Sequence, residues 1–444
     1  MNVLFASLGC DKNLVDSEVM LGLLRDKGFS LTNSEEEADV IVVNTCCFIG
    51  DAKMESIQTI LEMAEYKKMG RLKVLLVSGC LAQRYKNEII EEIPEVDAVI
   101  GTTAYDKIVE AIEGALLGKK EERYAELEAL PLPKTNRVCT TGGYYSYLKI
   151  AEGCNKRCTY CIIPSLRGNY RSVPMERIME EARFLVEGGA KELILVAQET
   201  TVYGVDIYKK KALPELLRKL CKIEGLEWIR ILYCYPEEIT DELIETIKTE
   251  DKICNYLDMP IQHASDAILS RMGRKTNHDE LVGLIKKLRK EIPDIVLRTS
   301  LITGFPGETE EDMDILKGFV QEVRFDRLGV FGYSREDGTP AAKMKPQITK
   351  KVKEARKKEI MKLQQQISFE NGKKRVGSVL KVMIEGKLPE DNVYIGRTYM
   401  DAPNVDGYVF VTSKDGYMSG DMVDVKITGA KEYDLYGEAL SYLD

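Results

Sequence analysis

Along residues 1–117, short runs of β-branched and apolar residues alternate with longer stretches whose apolar positions recur every three or four residues. VLFASLG, DVIVVNT, KVLLVSG and VDAVIG read as strands, and LVDSEVMLGLLRDKG, KMESIQTILEMAEYKKM, QRYKNEIIEEI and AYDKIVEAIEGALL as helices. Strands that are apolar at successive positions need cover on both faces, which predicts a small doubly wound parallel sheet. Residues 118–139 break the pattern with charge and two prolines and read as a linker. Strand–helix alternation resumes over 140–370, with YSYLKIA, ELILVAQ, WIRILY, YLDMPI, VLRTSLIT and RLGVFGY as strands. Six units fall short of the eight of a closed barrel and predict a six-stranded partial β/α barrel, closed by a helix over TKKVKEARKKEIMKLQQQISFE. Residues 373–444 carry short alternating segments, VGSVLKVMIEG, VYIGRTY, GYVFVTS and DMVDVKITGA, between Gly, Asp and Pro turns. They predict a small C-terminal β-barrel of a partner-binding kind. The chain is therefore expected to be of the α/β class with a β-domain appended.

Composition narrows the function. The 444 residues carry a net charge of −9, so there is no global attraction to nucleic acid and a basic partner fits better. No apolar run reaches the roughly 18 residues of a membrane span. The start, MNVLFASLGC, lacks the basic lead of a signal peptide or lipoprotein leader and reads as a first strand. A cytosolic location is expected. Eleven cysteines in such a protein point to metal ligation or catalysis ahead of disulfides, and with only His263 and His278 a histidine-rich metal site is excluded.

Cys154, Cys158 and Cys161 lie in AEGCNKRCTYCIIPSLRG at C-x3-C-x2-C spacing, just after the first barrel strand. That end of a β/α barrel is where its chemistry occurs. A four-iron cluster ordinarily takes four cysteines; three leave one iron open for a substrate ligand such as the amino and carboxylate groups of S-adenosylmethionine. A structural zinc site is the alternative, but it wants a fourth ligand, and the next Cys or His is distant in sequence.

Cys10, Cys46 and Cys80 are far apart in sequence, yet each directly follows an expected parallel strand. The carboxyl ends of such strands line one crevice, so the fold gathers them. Gly9 and Gly79 precede two of them and allow close backbone approach. Separate burial of each thiol is the competing reading; three strand ends in one domain favour a second cluster. Cys47 adjoins Cys46, and Cys46 is the expected ligand because neighbouring side chains diverge. Cys139, Cys221, Cys234 and Cys254 have no convergent spacing and are expected to be core or surface thiols, and His263 is left without a role.

The C-x3-C-x2-C segment resembles the radical S-adenosylmethionine superfamily. The resemblance implies that Tyr160 lies against the adenine, that Gln198 and Glu199 of VAQET lie near the methionine amino group, and that Gly304, Gly307 and Glu308 of LITGFPGET form the later cofactor-contacting segment. Arg298, on the strand leading into it, is a candidate partner for a cofactor carboxylate or a solvated strand-end charge. With SLGCDKNLVDSE, NTCCFI and SGCLAQRY the chain resembles the methylthiotransferases over nearly its whole length; Cys47 departs from the pattern, where a small residue is expected. That resemblance implies two 4Fe-4S clusters and S-adenosylmethionine. The central cluster would cleave the cofactor to a 5′-deoxyadenosyl radical, and the N-terminal one would present the sulfur that is methylated and inserted.

Two branches of that family differ in substrate, one acting on an adenosine of transfer RNA and the other, RimO, on an aspartate of the small-subunit ribosomal protein numbered twelve. RILYCYP, MPIQHASDAILSRMGR, GFPGETEEDM, RLGVFGYSREDGTPA, IGRTYMDAPNVDG and YDLYGE are similar to the RimO branch. Charge is an independent test. Residues 374–444 hold eight basic and twelve acidic residues, whereas an RNA-binding barrel needs positive charge for phosphates. Tyr394, Tyr408 and Phe410 could stack bases, but aromatics on alternating strands are more often core. The expected partners are a basic ribosomal protein, free or within the ribosome, and an electron donor that the sequence does not identify. Membranes are not expected, and transfer RNA is disfavoured. Outside this class, the rivals are a two-cluster electron-transfer protein and a zinc-binding module.

Overall fold

The computed structural model describes residues 1–131, 137–389 and 392–440; linker residues 132–136 and the acidic Glu390, Asp391 and Asp444 lie outside the described residues. In the N-terminal part, strands β1 (Asn2–Ser7), β2 (Ser30–Leu31), β3 (Val40–Thr45), β4 (Val74–Gly79), β5 (Ala98–Ile100) and β6 (Glu121–Arg123) form a parallel sheet in the order β2-β1-β3-β4-β5-β6. Every residue of β3 and β4 is buried, as their unbroken apolar runs require of strands covered on both faces. Helices α1 (Asp11–Asp26) and α2 (Gly50–Lys68) follow β1 and β3. The helix expected over QRYKNEIIEEI is two, α3 (Cys80–Tyr85) and α4 (Glu88–Glu92), because Lys86 at φ 47° interrupts the helical backbone between them. A last helix, α5 (Ile108–Leu116), precedes β6. The charged stretch read as a plain connection contributes β6, an edge strand beside β5.

The central part holds β7 (Tyr145–Lys149), a two-stranded ladder of β8 (Ala151–Glu152) with β9 (Arg171–Ser172), and then β10 (Glu192–Val196), β11 (Trp228–Ile231), β12 (Ile253–Asp258), β13 (Val296–Thr303) and β14 (Arg327–Gly332). Six of these form a parallel sheet in the order β14-β13-β12-β11-β10-β7, the expected partial barrel. The helix Lys350–Lys373 packs against β14 and ends the unit. Side chains alternate between faces: Leu193 and Leu195 join the helix-covered core, while Ile194 and Val196 join a second core with Tyr145, Tyr147 and Tyr256.

That second core is completed by the C-terminal unit, where β15 (Val379–Lys387), β16 (Val393–Arg397), β17 (Val409–Thr412), β18 (Met422–Ala430) and β19 (Leu435–Ala439) close a barrel. The seam is also ionic. Glu192 of β10 accepts hydrogen bonds from Arg230 (2.7 Å) and from Arg397 of the barrel (2.7 Å), all three side chains being fully buried. Asp401 pairs with Arg327, and Asp406 lies 3.4 Å from Arg298. Among the described residues, no helix is long and apolar enough to cross a membrane.

Candidate functional site: two thiol triads between the N-terminal and central units

The strand order places Cys10, after β1, and Cys46, after β3, on either side of the point where the sheet reverses its winding, with Cys80 following the neighbouring β4. Such switch points are where open α/β sheets bind ligands. The three turns are stitched together. Asn13 Nδ2 donates to the carbonyls of Leu8 (2.8 Å) and Thr45 (3.2 Å), Thr45 Oγ1 donates to the Ser78 carbonyl (2.5 Å), and the Leu81 amide donates to Thr45 Oγ1 (3.2 Å). Gly9 has φ +87°, and a Cβ there would stand 2.6 Å from Cys46 Cβ; Gly79 has φ +88°, with Thr45 O 2.5 Å from a Cβ. Both conformations and both approaches need glycine. Cys10 is exposed, while Cys46 and Cys80 are buried. Burial pushes the Cys46 thiol up to about 12, with the neighbouring Cys80 adding to it. Cys47 is fully buried in the apolar core of this unit, beside Arg84.

The central triad sits in the loop between β8 and helix α6 (Ile163–Arg167). Arg157 at φ 52° bends the loop. The Lys156 amide donates toward Cys154 Sγ (3.5 Å), and the Cys161 amide donates to the Cys158 carbonyl (3.0 Å). Burial pushes the Cys154 thiol up to about 11. Two groups that the sequence did not single out complete this side: Arg274 Nη1 lies 3.9 Å from Cys158 Sγ, and its guanidinium covers the ring of Tyr235, whose hydroxyl is 4.0 Å from the same sulfur. Residues beside the two triads meet across the seam between the units. From α1, Asp11 accepts a hydrogen bond from the Tyr233 hydroxyl (3.0 Å), and the Lys12 ammonium lies 3.4 Å from the Tyr233 ring centre, two residues before Tyr235.

Among the described residues, no three His, Cys, Asp or Glu side chains converge on a point suited to one ion. A four-iron cluster presents a separate iron to each thiolate, so a looser triad of sulfur donors on bent loops suits it. Each set offers three thiols, and beside the N-terminal set Cys47 adjoins Cys46 as a further buried thiol.

The candidate cofactor segments divide into those that meet and those that do not. Tyr160 and Phe305, the latter between Gly304 and Gly307, stand edge to face at 6.5 Å. Gly304 donates its amide to Glu308 (2.8 Å), and Glu308 is held by Arg356 (2.7 Å) and lies 3.4 Å from His263. His263 is fully buried and accepts the Ser265 amide (2.9 Å), so it joins two loops. Gly304 abuts Lys353, and Gly307 abuts Arg271. Gln198 donates to Glu152 (2.6 Å), while its buried carbonyl oxygen has no hydrogen-bond partner among the described residues. Glu199 lies 3.6 Å from Lys156; burial pushes its carboxyl up to about 7 against the pull of that ammonium. Arg298 is engaged elsewhere, donating to Asp258 (2.6 Å) and facing Asp406 of the small barrel. Of the remaining thiols, Cys234 and Cys254 are buried, Cys221 is half-buried and Cys139 is exposed.

A six-stranded parallel partial barrel with C-x3-C-x2-C at the end of its first strands defines the class: a radical S-adenosylmethionine enzyme. Residues 148–319 match the radical S-adenosylmethionine superfamily, residues 2–101 the uncharacterized protein family UPF0004 and residues 376–440 the TRAM domain. Similar solved structures include the radical S-adenosylmethionine methyltransferase TsrM from Kitasatospora setae (TM-score 0.56, 14% identity, 86% of this chain and 80% of that one). The cobalamin-dependent radical enzyme OxsB is another (TM-score 0.52, 14% identity, 77% and 54%); at such identities the likeness is one of fold. Among sequence relatives, the ribosomal protein uS12 methylthiotransferase RimO of Lachnoclostridium phytofermentans is 72% identical, covering 99% of this chain and all of that protein. Those of Acetivibrio thermocellus and Thermoanaerobacter sp. are 53% and 52% identical, over 98% of this chain and 97% and 99% of theirs. The chain belongs to the RimO family of methylthiotransferases.

Proposed function

We propose that this protein methylthiolates the β-carbon of an aspartate in ribosomal protein uS12, using S-adenosylmethionine and two 4Fe-4S clusters, in the cytoplasm. The observation that supports the reading is the pair of three-thiol sets, one at the switch point of the N-terminal sheet and one in the loop after β8, with residues beside them meeting across the interdomain seam. When bound, the central cluster and S-adenosylmethionine supply a carbon-centred radical, which an unactivated C–H bond demands and a side-chain base at neutral pH cannot replace.

The chain's own residues have three tasks. Cys154, Cys158 and Cys161 hold the radical-generating cluster, and Tyr160 with Phe305, Gln198 and Glu199 line the place of the cofactor. Cys10, Cys46 and Cys80 hold the second cluster at the switch point. Burial of Cys154 and Cys158 keeps water from much of the central loop, which suits a radical that must meet only its substrate. Arg298, being paired with two carboxylates, is assigned to the seam with the barrel.

The substrate follows from family membership and, less directly, from charge. Three of the barrel's acidic side chains, Glu385, Asp401 and Asp406, turn inward to Arg397, Arg327 and Arg298. The acidic character offered to a basic partner therefore rests on the others. Incubating the reconstituted enzyme with uS12 and with unmodified transfer RNA separates the two family activities. Methylthio-aspartate in uS12 is expected; methylthio-adenosine with unmodified uS12 overturns the reading.

A further inference from the structure

Arg167 lies six residues beyond Cys161, at the end of α6, so the chain carries it with the central triad. The fold turns it toward the other one. Its side chain is buried at 2% exposure. Nη1 donates to Asp16 Oδ2 (2.7 Å) and Glu152 Oε2 (3.1 Å), and Nη2 donates to Asn13 Oδ1 (2.9 Å). Asn13 is the residue that ties the Cys10 and Cys46 turns through the carbonyls of Leu8 and Thr45. Helix α6 also packs on α3, whose first residue is Cys80, and Leu166 shares an apolar cluster with that cysteine.

The charges around it are balanced without any thiolate. Asp16 and Glu152 each pair with both Arg167 and the buried Lys149. A guanidinium has five N–H donors, of which the three oxygen contacts use three; burial pushes the Cys80 thiol up, and the positive charge of Arg167 pulls it back. Glu152 in turn accepts from Gln198 at the end of β10. One buried cation therefore reaches the N-terminal thiol turns through Asn13 on one side and, through a single carboxylate, the cofactor-side strand end on the other.

We propose that Arg167 is a positioning residue for the N-terminal cluster, fixing the Cys10 and Cys46 turns through Asn13 and stabilising the added negative charge of the reduced cluster. This rests on the reading that Cys10, Cys46 and Cys80 hold a cluster. Nearby charge and hydrogen bonds to sulfur set the potentials of such clusters. A guanidinium that only clamped two units together would leave the potential unmoved.

The test uses the full chain with Cys154→Ala, Cys158→Ala and Cys161→Ala, reconstituted anaerobically with iron and sulfide, so that the second cluster is measured alone by a potentiometric titration followed by electron paramagnetic resonance. In that background Arg167→Met is expected to make the midpoint potential more negative, and Arg167→Lys to lie between it and the parent. Glu152→Gln keeps Arg167 in place while removing a negative neighbour, and is expected to shift the potential the other way. If Arg167→Met folds but takes up no cluster, Glu152→Gln decides alone. An unmoved potential in Glu152→Gln, or equal shifts in the Lys and Met variants, overturns the proposal. A parent that holds no iron overturns the two-cluster reading itself, and this proposal with it.

Discussion

Arg397→Met removes one cation from the fully buried cluster that joins the small barrel to the central sheet. Arg397 donates to Glu192 (2.7 Å), Glu385 (2.5 Å) and the Asp401 carbonyl (3.0 Å). Met fills much of the space of the arginine stem, so the loss is chiefly of charge. Breaking a buried pair from one side costs about 3–5 kcal/mol. Glu192 keeps Arg230, and Glu385 is 13% exposed and can reach water, so the low end, about 3 kcal/mol, is expected. At about 1.4 kcal/mol per factor of ten, that is about 100-fold more frequent opening of the barrel. Burial pushes the Glu192 carboxyl up, but the two guanidiniums hold it below its ordinary 4.5. The contribution is therefore complete above that value and is lost as the pH falls through the lowered one. Native-state hydrogen exchange reads the effect: amides of β16 and β18 should exchange about 100-fold faster, with those of β3 and β4 unchanged. Arg218→Met, which removes a pair whose side chains are 41% and 59% exposed, should cost less than about 1 kcal/mol. A change under about threefold in the barrel of Arg397→Met, or an equal effect across all three units, refutes the assignment of the seam to this cluster.

Gly9→Ala forces a side chain into φ +87° and onto Cys46, a strain of at least about 1–2 kcal/mol; iron per reconstituted chain should fall to about half with the central cluster's spectrum intact. Cys46→Ala should cause the same loss of iron, whereas Cys47→Ala should keep the iron and lose only core packing, which parallel iron analysis and thermal unfolding distinguish. Because burial holds the Cys46 thiol at about 12 and the Cys154 thiol at about 11, both are protonated at neutral pH and cluster insertion expels their protons. Apparent cluster affinity in competition with a chelator should therefore rise with pH, by up to about tenfold per unit for each proton released; a pH-independent competition contradicts that ionisation.

The strands of both parallel sheets were legible because burial on two faces writes an uninterrupted apolar run, as in VIVVNT and ELILV. The edge strands β2 and β6 were not, since two exposed residues, Ser30–Leu31, and three charged ones, Glu121–Arg123, have no such run and are defined only by their neighbours β1 and β5. The break between α3 and α4 carries no Gly or Pro. It rests on a lysine at positive φ, which no local pattern announces. Both cysteine triads could be found, one by spacing and the other because strand ends converge in an open sheet. Arg167, Glu152, Asn13 and Arg274 were illegible as site residues. Their roles come from partners far away in sequence, Arg167 meeting Asp16 across 151 positions, and a buried charge has no sequence signature of its own. Arg298 shows the converse: its place on the strand was legible, and its partners, Asp258 and Asp406, were not.

The most direct test of the central claim is to give the enzyme uS12 in which the target aspartate carries deuterium on its β-carbon, and to follow that label by mass spectrometry. Deuterium in 5′-deoxyadenosine, together with a methylthio group on the same aspartate, is the expected result. Label retained on the aspartate, or a methylthio group found at another residue or on RNA, contradicts the account.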